Sequence, residues 1–375
     1  MAFRSVKSFL VATFSFFSIT FSNQLLAQEN LPKEENKTAQ SATEKKEGFD
    51  TQEVIFGHIL DNHEYHFTSY KDVEGKEHHV SIPLPIIIYS PQKGFSCFSS
   101  SHFENGEVIY NGYKLTEGKI EAVKEDGTLD ESIKVYDFSL TRNVVQMILA
   151  LTLLTWLMLS IAKSYKSGQG VKTAPKGKQS LLEPVITFVR DEVAKPNLGH
   201  KYEKYLPYLL TVFFFILINN IFGLIPGTAN VTGNIAFTCV LGVISFVVIM
   251  FSSNKHYWGH IFNPPGVPFL IKFILVPIEF TSVFIKPFAL IIRLFANMVA
   301  GHIIIISLIS VIFIIGQTSV VGGWSTAPFS IAFTVFIYFI EILVAFLQAF
   351  IFTMLTAVFI GQAFEGEHHE EAAHH

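Results

Sequence analysis

Charge is almost absent from a long part of this sequence. The 160 residues at positions 205–364 contain six charged side chains, at Lys255, Lys272, Glu279, Lys286, Arg293 and Glu341. A soluble domain of that size carries charge on roughly a quarter of its residues. Half of the whole chain is hydrophobic, and it contains 38 phenylalanines. The composition therefore predicts a chain that is solvated largely by lipid.

The apolar residues fall into five segments that are long enough to cross a bilayer. The predicted spans are about 143–162, 207–226, 231–251, 267–316 and 327–362. An uncharged helix of about 20 residues rises about 30 Å, the thickness of the hydrocarbon core. The span at 267–316 is much longer, so we expect it to be kinked at Pro277 and Pro287 or strongly tilted. The sequence predicts an all-α integral membrane protein with about five transmembrane helices, ending in a long tilted helical hairpin.

The distribution of positive charge predicts the direction of the crossings. Five lysines follow the first span directly, at Lys163, Lys166, Lys172, Lys176 and Lys178. Because positive loops stay in the cytoplasm, the first span is expected to enter from outside. An amphipathic helix is predicted at 180–193, with Leu181, Leu182, Val185, Phe188 and Val189 on one side. Residues 363–375 form an acidic, histidine-rich tail that we place in the cytoplasm.

The N-terminal part reads as a targeting segment followed by an extracytoplasmic region. Arg4 and Lys7 precede an apolar stretch at 9–21, which predicts a signal peptide over residues 1–27; the alternative is an uncleaved anchor. Residues 28–50 are polar and predict a disordered tether. Residues 51–140 have mixed composition, with short strands and turns expected around 79–89 and 106–112, so we expect a small β-rich region.

Four of the charged residues in the fourth span recur every seven positions: Lys272, Glu279, Lys286 and Arg293. In a continuous helix, seven residues make nearly two turns, so all four share one face. Glu279 could pair with Lys272 or Lys286. Arg293 has no acidic residue within one turn, although Glu341 is a possible internal partner. An ionised residue inside a membrane is costly and usually functional.

Three motifs in the apolar part point to a known family. They are KPFALIIRLFANMVAGH at 286–302, LQAFIFTMLT at 347–356 and NNIFGLIPG at 219–227. The chain resembles subunit a of F-type ATP synthases, the stator subunit that passes ions to and from a rotating ring. The resemblance covers about residues 144–362 and does not include residues 51–137.

The resemblance implies a role in ion translocation for six residues. Arg293 corresponds to the essential stator arginine, Asn297 to its companion one turn on, and Gln348 to the polar residue that faces it from the next helix. Glu279 corresponds to an acidic residue of an aqueous access pathway. Many bacterial members have an acidic residue at the position of His302 and a histidine at the position of Glu341. The resemblance implies that this chain has the two residue types exchanged, as mitochondrial members do. The resemblance implies a location in the bacterial inner membrane. It also implies as partners a ring of small carboxylate-bearing subunits and the peripheral stalk, beside membrane lipid.

The hairpin register can be checked from the position numbers alone. Residues at equal depth in two antiparallel helices have position numbers with a constant sum. The pairs Arg293 with Gln348 and His302 with Glu341 fit one register to within half a turn. His302 lies nine residues after Arg293, about 180° around the helix, so we expect the two side chains to face different surroundings.

Several other functions lack a matching pattern in the sequence. No phosphate-binding glycine-rich loop or dinucleotide fingerprint is present, so we expect no cofactor and no ATP hydrolysis by this chain. We also expect no nucleic-acid partner. His63, His66, His78 and His79 could bind a metal, but they lack metal-ligand spacing, so the expected interpretation is solvated polar side chains and no metal site. Two rival functions stay open: a self-contained transporter, which would contain inverted repeats, and a membrane-anchored sensor that uses residues 51–137.

Overall fold

The computed structural model describes residues 61–364, except for 72–76, 107, 117, 125–126, 131, 171–172, 226–227 and 265–267. The predicted signal peptide at 1–27, the predicted tether at 28–50 and the tail from residue 365 lie outside the described residues. The described chain consists of a small β region followed by a helical membrane domain.

The β region contains seven short strands, from β1 to β7. They are Glu64–Lys71, Glu77–Pro83, Pro85–Ser90, Gly94–Ser99, Tyr113–Thr116, Lys119–Ala122 and Tyr136–Asp137. They form two antiparallel pairs, β1 with β2 and β5 with β6, and a three-stranded sheet in the order β4-β3-β7. Alternate residues of β3, Ile86 and Ile88, are fully buried together with Phe103 and Tyr113. The prediction of strands around 79–89 is confirmed.

The prediction of short strands and turns around 106–112 is met by a turn, whereas the described residues of this segment form no extended strand. The 3₁₀ turn Ser100–Gly106 precedes this segment, and Asn111 and Gly112 both have positive φ. A left-handed backbone at two successive residues makes a tight turn, as in hairpin loops, and interrupts an extended strand. In this segment only Tyr110 pairs, in a single bridge with Tyr113.

The described residues of the membrane domain form eight α-helices, numbered α1 to α8. They are Arg142–Lys166, Lys178–Phe188, Lys195–Leu198, Tyr202–Leu224, Ile235–Ser252, Lys255–Phe262, Phe269–Thr318 and Val320–Phe364. Among the described residues, five helical segments are long and apolar enough to cross a membrane. The prediction of an all-α membrane protein with about five spans and a small strand-containing region is confirmed.

The predicted amphipathic helix at 180–193 continues almost directly into the second span. A π-helical turn, Val189–Ala194, joins α2 to α3, and a 3₁₀ turn, Gly199–Lys201, joins α3 to α4. Gly199 has a φ of 51°, which interrupts the regular helix. Val189 is fully buried, whereas Leu181 is 75% exposed, so Leu181 does not lie on the packed face as predicted. Leu181 lies in the first turn of α2, whereas Val189 begins the π-turn that follows this helix.

Three boundaries in the second half differ from the sequence predictions. The third span begins at Ile235, because Asn234 caps α5 by accepting a hydrogen bond from the Ala236 N–H. Between the third and fourth predicted spans the chain forms the short helix α6, which buries Trp258. The link expected near 317–326 is reduced to Ser319, between α7 and α8.

Glycine allows α7 and α8 to remain helical up to this sharp turn. A Cβ placed on Gly323 would lie 2.8 Å from the Gly316 Cα, so the two helices approach more closely there than larger residues permit. The helix α7 is also uninterrupted through Pro277 and Pro287. At about 1.5 Å per residue its 50 residues extend for about 75 Å, far more than a perpendicular crossing requires.

Candidate functional site

A hydrogen bond joins the two helices of the terminal hairpin at Arg293. The Gln348 side chain is 4% exposed, and its Nε2 donates to the Arg293 backbone carbonyl at 3.1 Å. Arg293 and Gln348 therefore lie at the same depth, as the hairpin register predicts. Gln348 contacts the backbone of Arg293, so this hydrogen bond does not involve the guanidinium.

The Arg293 side chain lies on the exposed face of α7. Leu290, Leu294 and Met298 are buried on the opposite side of this part of the helix. Three alanines accompany Arg293 and Asn297 on the exposed face, at Ala289, Ala296 and Ala300. Among the ion pairs and hydrogen bonds of residues 61–364, with the gaps given above, none involves the Arg293 guanidinium. The alternative of an internal ion pair with Glu341 is therefore wrong.

The Glu341 carboxylate lies against Gly301, next to His302 in the sequence. A Cβ added at Gly301, the residue before His302, would overlap the Glu341 carboxylate. His302 and Glu341 are both half-buried. Tyr338, one turn before Glu341 on α8, lies within electrostatic range of the carboxylate. The structure thus brings Glu341 beside the His302 segment, as the register predicts, and adds Tyr338 to the group.

Glu279 lies two turns before Lys286 on the same helix and faces α6. Burial raises the pKa of Tyr257 in α6, and the negative charge of Glu279 raises it further. The Lys286 ammonium also lies within electrostatic range of Glu279 and donates to the Gln362 Oε1 at 3.2 Å. Lys272 donates to the Asn263 Oδ1 at 2.6 Å. Glu279 therefore belongs to a polar group near the start of α7, separate from Gln348.

The structure reveals buried amides that the reasoning about single charges missed. Asn219 and Asn220 on α4 are fully buried, and the Asn220 Nδ2 donates to the Ala345 carbonyl at 3.2 Å, one turn from Gln348. The side-chain oxygens of Asn219, Asn220 and Gln348 are buried and accept no hydrogen bond from the residues that the structure describes. Buried acceptors of this kind are places where water binds. The adjacent asparagines in an apolar span were the available signal in the sequence.

Of the four histidines named in the sequence analysis, the structure describes the side chain of His63. His63 is 3% exposed, and its Nε2 lies 2.7 Å from the Asp137 Oδ2. Across the described ranges, no group of three histidine, cysteine or acidic side chains is close enough to hold a metal ion. His63 thus has a structural partner within the β region.

These positions define the chemistry that is available in the membrane domain. Arg293 offers a permanent cation on a lipid-facing or partner-facing surface, because a guanidinium stays protonated at any accessible pH. His302 and Glu341 offer an imidazole and a carboxylate, which can exchange a proton. The arrangement suits the transfer of an ion to a partner outside this chain, since the charge of Arg293 is not neutralised within the described part of it.

Comparison with known protein families divides the chain into two matched segments. The family described as ATP synthase A chain matches residues 144–361, more than half of the chain. A second family, described as a domain of unknown function (DUF8433), matches residues 54–138. The boundary between the two matches falls just before α1.

Named relatives cover the same part of the chain. ATP synthase subunit a of Chloroherpeton thalassium is 46% identical over 244 residues, which is 64% of this chain and 71% of the relative. ATP synthase subunit a 2 of Chlorobaculum tepidum is 48% identical over 233 residues, 61% of this chain and 64% of the relative. The subunit a of an Anaeromyxobacter species is 37% identical, over 63% and 57% of the two chains. This chain is a multi-pass membrane protein that belongs to the ATP synthase A chain family.

Proposed function

We propose that this chain is the proton-conducting stator subunit of the membrane sector of an F-type ATP synthase. It provides two half-channels and holds Arg293 next to a rotating ring of small subunits, each of which carries a carboxylate. Proton flow through the half-channels turns the ring and is thereby coupled to ATP synthesis. The chain has no catalytic site for ATP and no cofactor.

The position of Arg293 is the observation that carries the proposal. Its guanidinium is exposed on an apolar helix, without an ion pair among the described residues, and small alanines surround it. An unpaired charge in a membrane is expensive, by about 2.5–3.5 kcal/mol on insertion scales, so a partner carboxylate is expected. Alanines on the same face allow a neighbouring helix to approach closely. A ring subunit meets both requirements.

In this mechanism His302 and Glu341 line the outer half-channel and deliver a proton to a ring carboxylate. After nearly a full rotation that carboxylate reaches Arg293, whose charge lowers the carboxylate pKa and favours release into the cytoplasmic half-channel. Asn297 and Gln348 position the groups around Arg293, and Glu279 belongs to an aqueous access pathway. The fixed charge also prevents protons from passing directly between the half-channels. Each proton supplies about 2.3 kcal/mol per 100 mV.

The proposed topology places the β region outside the cytoplasm. Residues 1–27 form a signal peptide, 28–50 a tether, 51–140 the extracytoplasmic region, 143–362 the membrane domain and 363–375 a cytoplasmic tail. The lysines after α1 support this orientation, because positive loops remain in the cytoplasm. The peripheral stalk is the second protein partner in the assembly.

Purification in mild detergent separates this proposal from a transporter or a sensor. We expect the chain to co-purify with a complex that hydrolyses nucleotide. Isolation of the chain alone, from membranes in which the ATP synthase stays intact, would contradict the proposal.

Disulfide cross-linking tests which face of α7 meets the ring. In a background with Cys97→Ser and Cys239→Ser, a cysteine at Ala296 is expected to cross-link to a cysteine placed one turn from the ring carboxylate. Leu294→Cys is the matched control, since Leu294 is 2% exposed on the buried side of the same helix. Equal cross-linking of the two variants would show that the exposed face is not the ring contact.

A further inference from the structure

The N-terminal end of α1 is capped by residues that lie about 80 positions earlier in the chain. The Arg142 N–H donates to the Asn62 carbonyl at 2.9 Å, and the Asn143 N–H donates to the Asp61 Oδ1 at 3.2 Å. The residue in the usual capping position, Thr141, makes no side-chain capping bond. The first N–H groups of a helix have no partner within the helix, and a carboxylate there also interacts favourably with the helix dipole. The β region thus supplies the cap of the first membrane helix.

Tyr65 extends this attachment to a second part of the membrane domain. Its hydroxyl donates to the Gln146 Oε1 of α1 at 2.8 Å and accepts from the Ala229 backbone N–H. Tyr65, Gln146 and Ala229 are all buried. Burial raises the pKa of Tyr65, so the hydroxyl stays protonated and able to donate. We call residues 61–65 the clamp segment.

The residue after Ala229 continues the connection to α7. Asn230 is 6% exposed, and its Nδ2 reaches the Met298 carbonyl at 3.5 Å. Its Oδ1 accepts from the Gly233 N–H at 3.0 Å. A Cβ on Gly223 or on Gly233 would press against the Asn230 side chain, so both glycines leave room for it. Met298 follows Asn297 directly and lies five residues after Arg293.

We propose that the clamp segment is a positioning element for the helix that carries Arg293. It fixes the start of α1 and the loop that contains Ala229, and Asn230 in that loop supports α7 beside Asn297. This inference rests on the proposed function, because a stator helix must hold its place while a ring moves past it. Among its 50 residues α7 buries only eight side chains, so it depends on a small number of lateral contacts. The β region is therefore a working part of the ion-translocating machinery.

Tyr65→Phe tests the clamp, with Tyr136→Phe as the matched control. Tyr136 lies in the same region, but its side chain is 49% exposed and takes no part in the clamp. Hydrogen exchange in the assembled complex should become about fivefold faster at Arg142, Asn143 and residues 228–234, the effect of one lost hydrogen bond on a local opening equilibrium. Protons pumped per ATP hydrolysed in inverted vesicles should fall about twofold or more. Tyr136→Phe should change neither quantity.

Substitution of Asp61 gives an independent test that does not depend on Tyr65. Asparagine keeps a side-chain oxygen that can cap a helix, whereas alanine does not. We expect Asp61→Ala to reduce the pumping ratio and Asp61→Asn to restore most of it. If all the clamp variants pump like the wild type, or if exchange rises without a change in the pumping ratio, the proposal is wrong. Hydrogen exchange can be measured whether or not the complex pumps protons. If the proposed function is wrong, the faster exchange in the clamp variants would still be observed, so the two failures can be told apart.

Discussion

Gly301 is the position at which the smallest substitution should disturb the proposed proton path. A Cβ at this site would occupy the space of the Glu341 carboxylate, so Gly301→Ala must displace the carboxylate or spread the two helices. Inserting an extra carbon into a packed contact costs about 1–3 kcal/mol. If the whole cost falls on proton transfer, pumping decreases by about 5–150-fold.

ATP-driven acidification of inverted membrane vesicles measures this loss. Gly316→Ala is the control on the same helix, because a Cβ there would lie 4.0 Å from the Gly323 Cα, an ordinary van der Waals distance. Adding Glu341→Asp to Gly301→Ala shortens the carboxylate side chain by one methylene and should restore part of the activity. Equal pumping by Gly301→Ala and Gly316→Ala would refute the argument that Glu341 needs this space.

Two further predictions concern Gln348 and Asp137. Gln348→Leu removes the bond to the Arg293 carbonyl but keeps a similar volume, so the complex should lose only about 1 kcal/mol of stability and still assemble. Its pumping should nevertheless fall more than tenfold, and wild-type pumping in the acidification assay would contradict a role for the amide. At Asp137, burial raises the carboxyl pKa, but hydrogen bonds from His63 and Ser139 outweigh it and hold the pKa below 3.8. The folded pKa lies below the unfolded one, so this carboxylate stabilises the β region above pH 3.8, and the contribution disappears as the pH falls through the folded value. Hydrogen exchange of β3 and β7 should therefore depend less on acid pH in Asp137→Asn than in the wild type; an unchanged dependence would show that this pair does not stabilise the region.

The membrane spans could be predicted because lipid imposes a simple rule on composition. Charge is so scarce between residues 205 and 364 that the apolar segments are evident, and the hairpin register follows from the position numbers of Arg293 and Gln348. Helix ends were harder to predict. Ser319 alone separates α7 from α8, because the missing side chain of Gly323 allows a close contact with Gly316 that composition does not reveal.

The contacts of the clamp segment lay beyond prediction for a different reason. Asp61 caps a helix that begins 81 residues later, and Tyr65 reaches Gln146 and Ala229. Local propensity and periodicity describe neighbours within a few turns, and they contain no information about which distant segments meet. The charge of Arg293 also did not predict which face of α7 carries it. An ion pair with Glu341 inside the chain would have neutralised the charge as well as a carboxylate from a partner would.

ATP-driven acidification with Arg293→Ala tests the central claim most directly. The complex must first be shown to assemble and to hydrolyse ATP, and Arg190→Ala serves as a control, because Arg190 pairs with Asp191 outside the site. If Arg293 is the stator charge beside the ring, Arg293→Ala abolishes acidification and Arg190→Ala leaves it unchanged. Normal acidification by assembled Arg293→Ala would contradict the account and would favour a self-contained transporter or a sensor instead.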